Sequence, residues 1–174
     1  MVSGKLLFAL ASVATLGSVT TASAQTIKIG WVNSYSGFLA QAGDQMEKGL
    51  NLYVKLHSKD LPPGVKVEFV RRDDTGAPEV GKRVAQELIT RERVQMLMGV
   101  VASPVAAAIA PLTAEAKIPF VITNAGGVAI PRISPYVTRF SFTLWQTALP
   151  IGTWSVKQGW KRGFSAVADF IPGH

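Results

Sequence analysis

Cysteine is absent from this sequence, and histidine occurs only twice among its 174 residues. The lack of cysteine excludes a disulfide framework, thiolate metal sites and thiol catalysis. His57 lies in a helical pattern, where a surface position is the favoured interpretation, and His174 is the last residue. We therefore expect neither a Ser-His-Asp arrangement nor a histidine metal site.

Nucleotide and hydrolase motifs are also missing. No G-x-G-x-x-G follows the first strand pattern, and neither G-x-x-x-x-G-K-[ST] nor G-x-S-x-G occurs. These absences remove support for a bound dinucleotide, a nucleoside triphosphate or a nucleophilic serine. We expect a protein that is not an enzyme and that needs no cofactor.

The only long uncharged run near the start, residues 6–19, is too short to cross a bilayer, which takes about 20 residues. Lys5 precedes it, and the small residues Ala22 and Ala24 follow it in an Ala-x-Ala pattern. This arrangement is typical of a secretory signal peptide. We predict a signal peptide over residues 1–24, cleavage after Ala24, and export of the remainder.

The formal net charge is +7, but basic and acidic residues are mixed, as in "RRDD" and "RER". No run of five or more like charges occurs, so a nucleic-acid partner is not expected. The favoured interpretation is a basic surface that aids solubility and favours anionic ligands.

Strand and helix patterns alternate along the exported part. Period-two or wholly apolar strand patterns lie at residues 26–33, 65–72, 94–101 and 118–123. One helical pattern lies at residues 44–59. A second begins after a cap at Asp74 or Thr75, with Pro78 in its first turn. A third lies at 103–117, with Ser103 as its cap. An extended run at 137–145, a helix at 146–160 and a strand at 163–170 follow. This alternation predicts an α/β fold: a doubly wound parallel sheet with helices on both faces.

Ligands bind such sheets beyond the carboxyl ends of the strands, so four loops are candidates: 33–37, 73–76, 102–105 and 124–127. Ser103 begins a helix, where a hydroxyl and free N–H groups suit a carboxylate, although a purely capping role is equally consistent. Asp73 and Asp74 are interpreted as capping residues rather than a catalytic pair. The candidate ligand-binding residues in these loops are Tyr35, Ser36, Ala102, Ser103, Thr123, Asn124, Ala125, Gly126 and Gly127.

A resemblance to a known family is carried by the segments "IKIGWVNSYSGFLAQAGDQMEKGLNLYVK", "VEFVRRDDTGAPEVGKRVAQELI", "VQMLMGVVASPVAAAIAPLTAEAKIPFVIT", "RFSFTLWQ" and "SAVADFIPGH". With these segments the sequence resembles the periplasmic substrate-binding proteins of branched-chain amino acid type ABC transporters. The resemblance implies the type I periplasmic-binding fold, in which two α/β lobes close on a ligand. It assigns a ligand carboxylate to Ser103 and to the loop 124–127. It also assigns an aromatic contact to Phe170.

One departure from the family concerns Gly127, near which the family's amino acid binders often carry threonine. Glycine there suggests more room and one fewer hydroxyl, and therefore other small acids, including aromatic carboxylates or amide-like compounds. The "DFIPGH" segment has phenylalanine where tyrosine is usual, and a phenyl ring stacks but does not hydrogen-bond.

The resemblance also sets the expected domains. Residues 25–140 correspond to the N-terminal lobe. The first hinge crossing, "SFTLWQ", follows that lobe. Residues 141–174 correspond to that crossing and to the start of a second lobe that is only begun. Family members are about twice as long, so we expect this sequence to be the truncated front half of such a protein.

The function that the resemblance implies is that of the periplasmic solute-binding component of an ABC importer. Its partners would be a small carboxylate-bearing solute and an inner-membrane permease, with the protein itself monomeric. An extracytoplasmic sensory domain of the same fold is the alternative. An exported α/β hydrolase is disfavoured because the nucleophile elbow and a usable histidine are missing.

Overall fold

The computed structural model describes residues 25–164 and 166. Five strands alternate with four helices. The strands are β1 (Gln25–Asn33), β2 (Val65–Asp73), β3 (Met96–Gly99), β4 (Phe120–Ile122) and β5 (Val137–Arg139). The helices are α1 (Ala40–Leu56), α2 (Pro78–Thr90), α3 (Ser103–Ala116) and α4 (Leu144–Lys157), with a short 3-10 helix at Ile130–Arg132. The predicted signal peptide, Phe170 and most of the predicted last strand lie outside the described residues.

All five strands are parallel, in the order β2-β1-β3-β4-β5. The chain moves outward from β1 to β2 and then returns past β1 to β3. Because parallel crossovers are right-handed, this reversal places α1 on one face of the sheet and α2 and α3 on the other. The doubly wound parallel sheet predicted from the sequence is therefore confirmed. The reversal point lies between the carboxyl ends of β1 and β3, where such sheets bind ligands.

The hydrophobic core lies between the sheet and the pair α2 and α3. Leu97, Phe120 and Ile122 point to this side and are fully buried. They pack against Leu88 of α2 and Ile109 of α3 in one cluster. Alanines on α3 allow the backbone to approach closely, so this layer is dense and holds the start of α3 firmly.

The opposite face of the sheet is covered only by α1 among the described elements, and Gly43 is the single buried residue of that helix. A groove of about 350 Å³ remains between α1 and the sheet. Its lining is almost wholly apolar: Trp31, Met46, Gly49, Leu50, Tyr53, Met98 and Thr123.

Several boundaries differ from the predictions. Helix α1 begins at Ala40, one turn before the predicted residue 44. The extended run predicted at 137–145 stops at Arg139, and its last two residues belong to α4, which a capping box of Thr143 and Gln146 starts at Leu144. No residue of α4 is buried. Within the described part of the chain, no helix combines the length and apolar character that a bilayer crossing requires.

Candidate functional site

A strained turn after β3 places the start of α3. Gly99 has φ 115° and Val100 has φ 67°, and the second value is unusual for a β-branched residue. The turn is held because the Val100 N–H donates to the Val32 carbonyl over 2.8 Å. A Cβ on Gly99 would lie 2.2 Å from the Val32 carbonyl oxygen, so only glycine fits there. Strain of this kind concentrates at functional sites.

Ser103 is the first residue of α3, and the helix cap is Ala102, which makes no side-chain capping bond. The prediction of Ser103 as the cap is therefore wrong. Its Oγ instead accepts a hydrogen bond of 3.0 Å from the N–H of Gly127, 24 positions along the chain. The side chain is almost fully buried. Because the bond from Gly127 uses an oxygen lone pair, the Ser103 hydroxyl proton is left to donate to another acceptor.

Two backbone N–H groups lie beside this hydroxyl. In the first turn of α3, Pro104 has no N–H, and Ala106 already donates to the Ala102 carbonyl. The N–H groups of Ser103 and Val105 have no acceptor among the described residues. Free N–H groups and the positive end of a helix dipole together favour an anion.

The loop at 124–127 is fixed by contacts on both sides. The Ala125 N–H donates to Val100, and the Asn124 carbonyl accepts from the Ser141 hydroxyl. The Gly126 carbonyl accepts from the Leu144 N–H, and the Gly127 carbonyl accepts from the Arg139 guanidinium. The loop therefore has a defined position relative to α3.

The extra room predicted at Gly127 is not there. A Cβ added to Gly127 would lie 2.9 Å from the Ile130 side chain and 3.2 Å from Ser103 Oγ. Glycine at this position lets the loop approach α3 closely, and the space is filled by the protein itself.

The loops after β1 and β2 are joined to one another by two aspartates. Asp73 accepts from the Ser36 hydroxyl at 2.7 Å and from the N–H groups of Tyr35 and Thr75. Partial burial opposes its ionisation, but these donors outweigh burial and hold the pKa of Asp73 below its ordinary value.

Asp74 lies in a different environment. Its Oδ1 accepts from the Ser34 hydroxyl at 2.6 Å and from the Gly76 N–H at 2.8 Å, and the side chain is fully buried. Burial is the main reason that the pKa of Asp74 is raised. Neither carboxylate caps α2, whose cap is Ala77. The predicted capping role of Asp74 or Thr75 is therefore wrong, since both aspartates tie loops together instead.

Tyr35 points away from the loop at 124–127 and toward α1. Its hydroxyl donates to the Glu47 carboxylate at 2.7 Å, and Glu47 also pairs with Arg71. Burial and the bond to Glu47 raise the pKa of Tyr35. Partial burial opposes ionisation of Glu47, but donation from Tyr35 and Arg71 holds its pKa below the ordinary value.

The predicted site residues thus fall into separate groups. Ala102, Ser103 and the loop residues Asn124, Ala125, Gly126 and Gly127 come together at the ends of β3 and β4. Near the ends of β1 and β2, the Tyr35 hydroxyl donates to Glu47 and the Ser36 hydroxyl donates to Asp73. Thr123 lines the groove beneath α1, with its buried hydroxyl lacking a partner among the described residues. Arg139 was not predicted as a site residue. Its positive charge, on the strand that follows the loop at 124–127, is the only local signal of its contact with that loop.

Among the described residues, no group of three or more His, Cys, Asp and Glu side chains has a metal-binding arrangement. At the ends of β3 and β4, the N–H groups of Ser103 and Val105, beside the Ser103 hydroxyl, are without a partner among the described residues.

Comparison with known proteins identifies the family of this chain. A family model described as periplasmic binding protein matches residues 26–173. The chain belongs to the periplasmic binding protein family. The resemblance to solute-binding proteins of ABC transporters, stated from the sequence, is confirmed.

Three similar proteins illustrate the family. Leu/Ile/Val-binding protein homolog 6 of Brucella abortus is 36% identical over 157 residues, which is 90% of this chain and 40% of that protein. A solute-binding protein of an ABC transporter from R. palustris, in complex with 4-hydroxybenzoate, matches with 39% identity and a TM-score of 0.80. That match covers 86% of this chain and 40% of the other.

A second Rhodopseudomonas palustris solute-binding protein, from strain BisB5 and in complex with 3,4-dihydroxy benzoic acid, is 38% identical with a TM-score of 0.81. That match covers 85% of this chain and 40% of the other. The chain thus spans about 40% of the length of these relatives, two of which are described as solute-binding proteins of ABC transporters.

Proposed function

We propose that this chain forms one lobe of a periplasmic solute receptor that binds a small carboxylate and delivers it to an ABC permease. The observation that carries the proposal is the hydrogen bond from Gly127 to Ser103. It uses one lone pair of Ser103 Oγ and leaves the hydroxyl proton, beside the free N–H groups of α3, to donate to an anionic oxygen.

An aromatic acid is the proposed ligand class. Two relatives at 39% and 38% identity are described with hydroxylated benzoates. In this chain the ring of Phe142 lies beside the loop, 3.5 Å from the position that a Cβ on Gly126 would take. Phe142 remains about half exposed, so it can offer an apolar contact to an aromatic ligand.

The proposal predicts that the 25–174 chain binds 4-hydroxybenzoate in the millimolar range, because one lobe supplies only part of the ligand contacts. A two-dimensional amide NMR titration should show shifts concentrated at Ser103, Val105 and Gly127. Leucine, titrated in parallel, tests the amino acid alternative suggested by the Brucella relative.

Ser103→Ala should weaken 4-hydroxybenzoate binding about tenfold or more, because a hydrogen bond to a charged group is lost. The neutral 4-hydroxybenzamide is the matched ligand, and it should bind the unmodified chain more weakly than the acid. Equal binding of acid and amide, or shifts remote from Ser103, would rule out the carboxylate site.

A further inference from the structure

Arg139 is the last residue of β5, and its Nη1 donates to the Gly127 carbonyl over 2.6 Å. The residue is partly buried. None of the ion pairs formed between described residues includes Arg139. Its contact with the loop is therefore a charge-assisted hydrogen bond to one carbonyl, which is stronger than a bond between neutral groups.

Gly127 is held from two directions. Its carbonyl accepts from Arg139 Nη1 at 2.6 Å and, over the longer distance of 3.4 Å, from the Ile130 N–H, and its own N–H donates to Ser103 Oγ. A glycine without a Cβ can adopt many backbone conformations, so an unclamped Gly127 could turn its peptide groups away from α3. The Arg139 bond, the shorter of the two bonds to the Gly127 carbonyl, restricts that freedom.

We propose that Arg139 is a positioning residue for the ligand carboxylate, acting through Gly127 on the Ser103 hydroxyl. By fixing the Gly127 carbonyl, Arg139 keeps the Gly127 N–H on Ser103 Oγ. The hydroxyl proton is then kept out of the direction of Gly127 and is available to the ligand. This inference rests on the proposed function, because it assigns a role at the same site.

The first test needs no ligand. Hydrogen exchange of the Gly127 amide is measured by NMR in the unmodified chain, Arg139→Met and Arg139→Lys. Methionine keeps an unbranched apolar stem but cannot donate, whereas lysine keeps a charged donor on a side chain one atom shorter than that of arginine. Exchange at Gly127 should rise about tenfold in Arg139→Met and stay near the original in Arg139→Lys.

The amide of Ala125, which donates to Val100, serves as the internal control. It should be unchanged in both variants. An unchanged Gly127 rate in Arg139→Met would overturn the proposal. A rise that is uniform over Gly127, Ala125 and the strands would also overturn it, because that is what general destabilisation produces.

The second test is a double-mutant cycle for 4-hydroxybenzoate binding with Ser103→Ala and Arg139→Met. It is run at about 1 M sodium chloride, where the screening length is about 3 Å and the bare charge of Arg139 contributes little. Each single variant should weaken binding about tenfold. If Arg139 acts through Ser103, the double variant should be no weaker than Ser103→Ala alone.

Additive losses would mean that Arg139 does not act through Ser103, and would overturn the proposal. Failure of the unmodified chain to bind 4-hydroxybenzoate would refute the proposed function and, with it, the ligand role of Arg139. Arg139→Met could raise the exchange rate of the Gly127 amide and yet leave the affinity for 4-hydroxybenzoate unchanged. That result would refute the positioning role of Arg139 but not the proposed function.

Discussion

Asp73 and Asp74 are adjacent in the chain but have opposite electrostatic environments. Asp73 is surrounded by donors that favour its charged form. Asp74 is fully buried, and its second carboxylate oxygen has no partner among the described residues. Burial without full compensation disfavours its charged form. The two residues therefore make opposite contributions to the pH dependence of folding.

For Asp74, the folded-state pKa lies above the unfolded value of about 3.9. Its contribution to stability is complete below that unfolded value and is lost as the pH rises through the folded pKa. Asp74→Asn removes the titration. Urea unfolding should show the free energy of unfolding of this variant improving relative to the original as pH rises from about 3 to about 7.

Asp73→Asn is the matched variant with the opposite sign. The pKa of Asp73 is lowered, so its contribution is present above about 3.9 and is lost as pH falls through the folded pKa. Relative to the original chain, Asp73→Asn should become less stable over the same rise in pH. Parallel pH profiles for the two variants would contradict this assignment.

At the scale of single elements, α1 shows how one glycine sets the position of a helix. Gly43 faces the end of β1, where the Asn33 side-chain amide donates to its carbonyl at 2.8 Å. A Cβ on Gly43 would lie 1.8 Å from the Ser34 carbonyl oxygen. The helix can therefore lie this close to the strand end only with glycine at that position.

Gly43→Ala should lower the free energy of unfolding by about 1–3 kcal/mol, because backbone must move to relieve the overlap. Gly49 lies in the same helix, and nothing lies within 4 Å of the position that a Cβ would take there. Gly49→Ala should raise stability by about 0.5–1 kcal/mol through the greater helix propensity of alanine. Urea denaturation of both variants measures the difference, and equal effects would argue against the close approach.

Across the whole molecule, the two faces of the sheet are unequally covered. Helix α2 buries Gly81, Val84, Ala85 and Leu88, and α3 buries six residues. By contrast, α1 buries one residue and α4 buries none. Elements with few buried contacts open at lower free energy than core elements.

Native-state hydrogen exchange should therefore follow a definite order. The amides of α4 should open at the lowest free energy, those of α1 next, and those of β3 and α3 only with global unfolding. Exchange is measured amide by amide as a function of low denaturant concentration. A single common opening energy for α1, α3 and β3 would contradict this order.

The α/β alternation could be predicted from the sequence because each signal is local. The period-two patterns of β1 and β2 predicted strands to within one residue of the observed bounds. Pro78 and Pro104 marked helix starts through their missing N–H groups. The capping box that starts α4 was missed, although Thr143 and Gln146 stand at the spacing that forms one.

What the sequence alone determined is the set of elements, the direction of the strands and the loop at 102–105 as a candidate site. Only the tertiary structure decided what Ser103 does, because its partner Gly127 lies 24 residues away and Arg139 lies 12 residues further. It also decided that Thr123 faces the α1 groove rather than Ser103. Local patterns report how a segment uses its own backbone, whereas contacts between distant segments depend on the strand order and close packing of the whole sheet.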